Sequence, residues 1–315
     1  MLIRIRRGWE LPETAATPES MVLQRRSLMR LAGVAGAAMS LPRLAGAQSA
    51  MPAMNAPRSE RFRAGRDLTP EKDATSYNNY YEFGSSKSVA AAAQKLPQSP
   101  WTLKLDGLVD KPQEIDLSDL LKRVSLEERV LRHRCVEAWS MIVPWTGFPM
   151  AELVKMAAPT SAARYVMFET VQDRARMPGL RQSWYPWPYQ EGCTLAEAMN
   201  ELCFMAVGLY GKPVPAQNGG PIRVLFPWKY GFKSGKAITR IHFTDTRPVS
   251  FWEKLQPTEY GFWANVNPAV PHPRWSQETE RLLGSRERVP TQIFNGYGEF
   301  VAPLYAGLEK EPLFL

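Results

Sequence analysis

The chain is 315 residues long, 44% apolar and 22% charged, with a formal charge of +8; that length and apolar content allow one large domain with a substantial core. Seven arginines and three glutamates fall in residues 1–47, so the 268 residues that follow carry only +4, without Lys/Arg runs, and a nucleic-acid partner is not indicated. No later segment holds the ~20 apolar residues that a bilayer-spanning helix needs.

In chain order, the first predicted element is a leader. Gln24-Arg25-Arg26-Ser27-Leu28-Met29-Arg30 precedes an uncharged small-apolar run, Leu31 to Leu41, and then Ala45-Gly46-Ala47. A charged n-region, an apolar h-region and an A-x-A-like cleavage site follow one another, with twin arginines at the junction. Residues 1–47 are therefore read as a twin-arginine signal peptide with an n-region extension, and the protein as exported folded to the periplasm. An ordinary secretory leader with two incidental arginines is the alternative, and Met21 is a second candidate start. Residues 48–66 mix Ala, Pro, Ser and Arg without periodicity and read as a flexible mature N-terminus. Residues 67–315 read as a single ordered domain.

Within that domain, Tyr77-Asn78-Asn79-Tyr80-Tyr81-Glu82-Phe83 is aromatic and amide-rich, which suits a loop packed on something. Trp101 to Gly107 alternates apolar and polar with the period of a half-buried strand. Leu117 to Val124 follows an Asp cap candidate and reads as a short helix. Arg129 to His133 alternates weakly and delivers Cys135 from the end of a strand. Pro144 to Pro149 reads as a turn opening a helix that runs to about Met156, with Leu153 and Val154 inward. Strands are expected at Arg164 to Glu169, Phe204 to Leu209, Ile222 to Phe226 and Ala237 to Phe243. Helices are expected at Thr194 to Asn200 and Ser276 to Leu283. Many short elements and 27 prolines point to an irregular α+β domain with long loops. There is no internal repeat and no Gly-rich phosphate loop of the usual spacing.

Three cysteines cannot all pair. Cys193 and Cys203 could form a disulfide; two small buried hydrophobes is the preferred reading. With His133, His242 and His272 alone, and no C-x-x-C or H-E-x-x-H, a zinc site of usual composition is not expected. Haem attachment through C-x-x-C-H and an iron–sulfur cluster are excluded on the same count.

Two segments carry chemistry. Arg132-His133-Arg134-Cys135-Val136-Glu137-Ala138-Trp139-Ser140 surrounds one cysteine with cations. Cationic neighbours favour a thiolate, the form that attacks electrophiles or ligates a soft metal; an inert core thiol is the alternative. Further on, Lys212 to Arg223 holds an Asn218-Gly219-Gly220 turn, and Pro227 to Lys236 packs three lysines, three aromatics and two glycines into ten residues. Glycine permits close backbone approach, and lysine with amide N–H groups neutralises a phosphate. Together these read as an anion and heterocycle cradle, with two solvated turns as the bland alternative. Lys87 is placed outside that cradle.

With these residues in view, the chain resembles the molybdopterin enzymes of the sulfite oxidase fold, and among them the periplasmic protein-methionine-sulfoxide reductases. YNNYYEFG, RCVEAWSMIVPWTGFP, MFET, QNGGPIRV, PWKYGFKSGK, EYGFWANVNP and HPRWSQ carry the resemblance, in order, from about Tyr77 to Gly307. It implies irregular mixed β-sheets with short helices in a single molybdopterin-binding catalytic domain. By position it makes Cys135 the thiolate ligand to molybdenum, with Glu137, Asn79 and Tyr260 at the metal's open face. Asn78, Tyr81, Glu82, Thr170, Asn218, Arg223, Ser234, Gly235 and Lys236 would hold a mononucleotide-free molybdopterin and its phosphate. The implied activity is oxygen atom transfer from methionine sulfoxide in oxidised periplasmic proteins to reduced molybdenum, giving methionine and water. The implied electron donor is a membrane haem-binding subunit, MsrQ, serving a monomeric catalytic subunit. Reduction of small S- or N-oxides, or sulfite oxidation, is the nearest rival. A non-catalytic periplasmic binding protein is a more distant one. Sulfite oxidation would call for clustered arginines at the metal, and its dimeric members carry a further C-terminal β domain not expected here. Residues 174–191 fit no family pattern and leave substrate preference open.

Overall fold

The protein is described as a computed structural model covering Met54, residues 56–285 and residues 287–315. The segment read as a leader, Arg25 and Arg26 included, lies outside the described residues. Among the described residues no helix is long and apolar enough to cross a membrane.

Two sheets organise the domain. The first takes β1 (Thr102–Gly107), β2 (Gln113–Asp116), β5 (Tyr165–Thr170), β6 (Gln190–Thr194) and β10 (Ile238–Thr244) in the order β2-β1-β10-β5-β6. Only β1 and β10 run parallel; the other pairs are antiparallel. One face supplies the core with Leu103, Leu105, Val166, Phe168, Ile241 and Phe243, all fully buried, as period-two alternation requires.

The second sheet has seven strands, built on β3 (Glu127–Cys135) and β4 (Trp139–Pro149). They pair over nine successive positions, from Glu127↔Gly147 to Cys135↔Trp139. The far edge of β4 is shared. Its first residues pair with β11 (Thr279–Leu282), which also holds β12 (Arg288–Pro290), and its last with β7 (Phe204–Leu209). β7, buried at every position, in turn pairs β8 (Lys212–Pro213) and β9 (Arg223–Leu225).

The expected turn at Pro144 to Pro149 is instead the end of β4. Pro144 falls between the β11 and β7 pairings, where that edge asks for no ladder donor; its carbonyl accepts from Tyr210 N at 3.1 Å. Gly147 serves a close approach, since a Cβ there would lie 2.0 Å from the Met205 carbonyl oxygen. The helix that follows, Met150–Ala157, buries Leu153 and Val154 as expected.

Ser276 to Leu283 is likewise no helix. β11 runs parallel to the start of β4, and Gln277 and Glu280 are buried to serve Arg134. Pairing and a buried ion pair override the local helix propensity of this stretch.

Asp116 caps Leu117–Leu121 by accepting from Ser118 N, and Thr194 caps Leu195–Met199 in a capping box. The segment read as a flexible N-terminus lies, over residues 56–66, against the body. Ser59 N donates to Glu128 O at 2.8 Å, and buried Phe62 sits 4.5 Å under the Arg129 guanidinium.

Candidate active site

Cys135 closes the β3–β4 pairing, and Val136-Glu137-Ala138 turns the chain. Ala138 N donates to Cys135 O at 3.1 Å, and Ala138 itself adopts φ 58°, the left-handed residue that a three-residue hairpin needs. The turn is pinned through its carbonyls. Val136 O accepts from Trp275 Nε1 at 2.8 Å and Gln277 Nε2 at 2.9 Å, and Cys135 O accepts from the Arg134 guanidinium.

The flanking arginines do not hold Cys135 as a thiolate. Side chains alternate along β3, so Arg132 and Arg134 face away from the sulfur. Arg134 is wholly buried on Glu280 (3.0 Å) and Gln277 (2.9 Å), and Arg132 donates to Ala64 O (2.6 Å) and Asn295 O (3.0 Å). His133 shares the sulfur's side of the strand, but burial and the nearby Arg223 and Lys236 depress its pKa to about 3, so it is neutral. Burial first, and then the Glu137 carboxylate, push the Cys135 thiol up to about 12, against weaker pulls from Lys87 and Arg134. A thiolate at Cys135 therefore calls for a cation bound at Sγ itself.

Around the sulfur, Asn79 Nδ2 approaches Sγ at 3.4 Å and Glu137 N at 3.5 Å. Glu137 accepts from Trp139 Nε1 at 3.2 Å and from Lys87 Nζ at 2.8 Å, and Lys87 also donates to Asn79 Oδ1. Lys87 is thus tied into the group next to Cys135, which its place in the sequence did not suggest.

From Cys135 a cleft of about 850 Å³ runs inward to Arg223 and Lys236. Arg223 is buried, donating to Asn218 O (2.6 Å) and Ser234 O (3.1 Å) while its Nε finds no partner among the described residues. Asn78 Oδ1, Asn218 Oδ1 and Tyr80 OH are also buried without partners. Lys236 donates to Asn79 O at 2.7 Å, and burial together with Arg223 lowers its pKa to about 7. Two cations facing one space, ringed by unpaired polar atoms, fit an anion with heterocyclic hydrogen-bonding groups. Gly219, at φ 96°, and Gly231 keep the walls thin. A Cβ would meet Lys236 Cγ at 2.7 Å in the first case and the His133 ring at 2.5 Å in the second.

The donor set suits a metal that brings its own ligands. Among the described residues no group of three His, Cys, Asp or Glu side chains could hold an ion, and Cys135 is the one thiol that lines the cleft.

Most of the expected residues meet here. Asn78, Asn79, Tyr81, Glu82, Cys135, Glu137, Asn218, Arg223, Ser234, Lys236 and Tyr260 all line the cleft. Thr170 stands behind it, donating to Glu82 at 3.3 Å; burial raises the Glu82 carboxyl pKa. Gly235 is also set back, and its carbonyl accepts from Val224 N at 3.1 Å. Trp139, Tyr189 and Trp252 also line the cleft and were not anticipated: apolar side chains in strands and turns read as core. Cys193 and Cys203 are buried and unpaired, as preferred from the sequence.

The family model for the oxidoreductase molybdopterin binding domain matches residues 90–252. The chain is 48% identical, over 96% of its length and 98% of the relative's, to a protein from Xanthomonas axonopodis pv. citri (strain 306) named protein-methionine-sulfoxide reductase catalytic subunit MsrP. The chain belongs to this molybdopterin-binding oxidoreductase family. A Burkholderia mallei (strain ATCC 23344) relative of the same name is 44% identical over 98% of this chain and 96% of its own. Among solved structures, the sulfane dehydrogenase SoxCD from Paracoccus pantotrophus overlays 73% of this chain and 60% of its own at a TM-score of 0.46 and 14% identity, too loosely to inform the site. Cys135, Arg223 and Lys236 lie within the matched residues, while Tyr77 to Glu82 and Tyr260 fall outside them and join them around the cleft.

Proposed function

We propose that the chain is the catalytic subunit of a periplasmic protein-methionine-sulfoxide reductase, using molybdenum on a mononucleotide-free molybdopterin. The observation that carries this reading is one cleft joining a lone thiol, Cys135, to two basic side chains, Arg223 and Lys236, neither of which forms a salt bridge among the described residues. It occurs in a chain whose near-full-length relatives bear that reductase name. A pair of cations matches one terminal phosphate. Cys135 would ligate molybdenum, and Asn78, Tyr81, Glu82, Asn218, Arg223, Ser234 and Lys236 would hold the pterin, with Thr170 steadying Glu82. When bound, the reduced cofactor would supply the two electrons that convert S=O to a thioether and would take up its oxygen atom.

The chain's own part is selection and proton handling. Beside Sγ, Lys87 is already paired with Glu137 at 2.5 Å, so it is not free to hold a dianion such as sulfite, whereas a neutral sulfoxide needs no such cation. Burial pushes the Tyr260 phenol up to about 12, so it stays a hydrogen-bond donor at neutral pH. Glu137 Oε1, 2.8 Å from Lys87 Nζ, is placed to take and pass a proton; Asn79 Nδ2 is a second donor.

Electrons would come from a membrane haem-binding subunit of the MsrQ kind, and export by the twin-arginine route. Replacing Arg25 and Arg26 by lysines should strand the precursor in the cytoplasm. Full periplasmic yield of metal-loaded protein from the double-lysine form would remove the export reading. For the activity, the protein made in a host that synthesises molybdopterin is assayed with reduced viologen as electron donor on oxidised protein and free methionine sulfoxide, and with ferricyanide as electron acceptor on sulfite. Viologen consumption with the oxidised protein is expected. Metal-loaded enzyme inert to sulfoxides, or turning over sulfite instead, overturns it.

A further inference from the structure

Outside the catalytic cleft lies a second, open one of about 1060 Å³, and the two share Tyr81, Glu137, Trp252 and Tyr260 as a common sill. Its outer walls come from two places in the chain: Trp184 and Tyr185 on one side, Arg274 and Trp275 on the other. Trp184 is 68% exposed, the only aromatic among the large apolar side chains exposed in the described residues. Water contact over so large an apolar surface is unfavourable, and the loop does not relieve it. Trp187 Nε1 donates to Gln182 O at 3.1 Å, Trp187 N to Tyr185 O at 2.9 Å, and Gly179 N to Glu82 O at 2.8 Å. Tyr185 and Trp187 pack on Phe251, with ring centroids 5.8 and 4.9 Å apart. The loop is braced from below while Trp184 stands clear.

The opposite wall is equally fixed. Trp275 stacks on His272 at 3.8 Å, and the Arg274 guanidinium lies 4.9 Å over its ring while bonding Glu259 at 2.7 Å. Arg274 is therefore neutralised, and the wall presents rings rather than net charge. A free sulfoxide needs only the inner cleft beside Cys135. A methionine sulfoxide within a polypeptide, entering over the shared sill, lays the residues beside it across the outer cleft.

We infer that the Trp184–Trp275 cleft is a docking surface for the apolar side chains that flank an oxidised methionine in an extended polypeptide. The inference rests on the reductase reading and specifies its substrate. Rigid rings bind such side chains at little cost in conformational entropy, and continuity with the catalytic cleft fixes the register between bound side chain and sulfoxide.

The test uses the cofactor-loaded enzyme and two synthetic peptides, methionine sulfoxide flanked by leucines or by glycines, with free methionine sulfoxide as reference. The wild type should prefer the leucine peptide by about tenfold in KM, equivalent to ~1.4 kcal/mol. Trp184→Ala should erase that preference, and Trp184→Phe should keep most of it. Calorimetric titration of both peptides reads the same difference without turnover. Equal KM for the two peptides in the wild type, or a preference that survives Trp184→Ala, overturns the inference. Failure to reduce any sulfoxide, free or peptide, overturns the reductase reading on which it stands.

Discussion

Lys87 donates to both carboxylate oxygens of Glu137 and to the side-chain oxygen of Asn79, so one ammonium holds the two groups nearest Cys135. It also turns the Asn79 amide so that Nδ2 faces the sulfur at 3.4 Å. Lys87→Met keeps the stem and removes the tether. Turnover should fall about 10–100-fold, the usual cost of losing a partner behind a metal ligand, with pterin content unchanged. Loss of pterin along with activity would mean that Lys87 serves the fold. Cys135→Ser should abolish sulfoxide reduction while the fold survives, since a hydroxyl replaces a soft sulfur poorly; molybdenum is assayed separately, because the pterin can retain it. Substantial turnover by the folded serine variant would remove Cys135 from the chemistry. At this scale the sequence misled once through proximity: Arg132 and Arg134 adjoin Cys135 along the chain, but the parity of a strand sends them to the opposite face.

At the scale of elements, the β3–β4 hairpin presents Cys135 and Glu137 and is held by Trp275 and Gln277, just ahead of β11, and by Arg134 of β3 itself. Its turn depends on Ala138 at φ 58°, a conformation that costs an L-residue about 1–2 kcal/mol. Ala138→Gly should fold at least as well, whereas Ala138→Val, β-branched where φ is positive, should lose roughly 1–3 kcal/mol. Urea midpoints measure both, and equal midpoints would show that the turn rearranges freely. The strands β1, β5, β7 and β10 and the helix Met150–Ala157 were legible because period-two and period-3.6 patterns survive in them. Pro144, Gly147 and Pro149 concealed the second half of β4, since their tolerance there depends on which neighbour each edge meets. β11 was hidden because its conformation is set by β4 and Arg134, partners more than a hundred residues away.

For the molecule as a whole, the proposed cofactor site makes a prediction about charge. Lys236, lowered to about 7 by burial and Arg223, is neutral in the empty folded protein above that pH, whereas an unfolded lysine stays protonated to about 10.4. The unfolded state therefore holds more protons between those values, and the empty protein should gain stability as pH rises from about 7 towards 10. Lys236→Met should flatten that slope, and loading should flatten it too, since a bound phosphate restores the charged lysine. Thermal midpoints of empty and loaded protein between pH 7 and 9 test this, and an identical slope in Lys236→Met would clear Lys236 of the effect. Arg223→Ala and Lys236→Ala should also purify with less pterin, read by fluorescence after acid oxidation. The cradle was legible in the sequence as a cluster of Asn, Gly, Arg and Lys. Its aromatic walls were not, because tryptophan and tyrosine look the same in a core and in a cleft.

Nine consecutive pairs lock β3 to β4, with Cys135 the last of them, and this divides the chain into regions with different freedom to change length. One residue inserted into β3 exchanges the faces of everything beyond it, setting Arg134 where the sulfur belongs and the sulfur against Glu280. Length variation there is closed even to residues that pack well. The tip of the 174–191 loop around Ser183 and Trp184 is exposed and outside both sheets, so a change of length there need not move Cys135. Change in length is thereby better tolerated at the rim of the outer cleft than at the hairpin that carries Cys135.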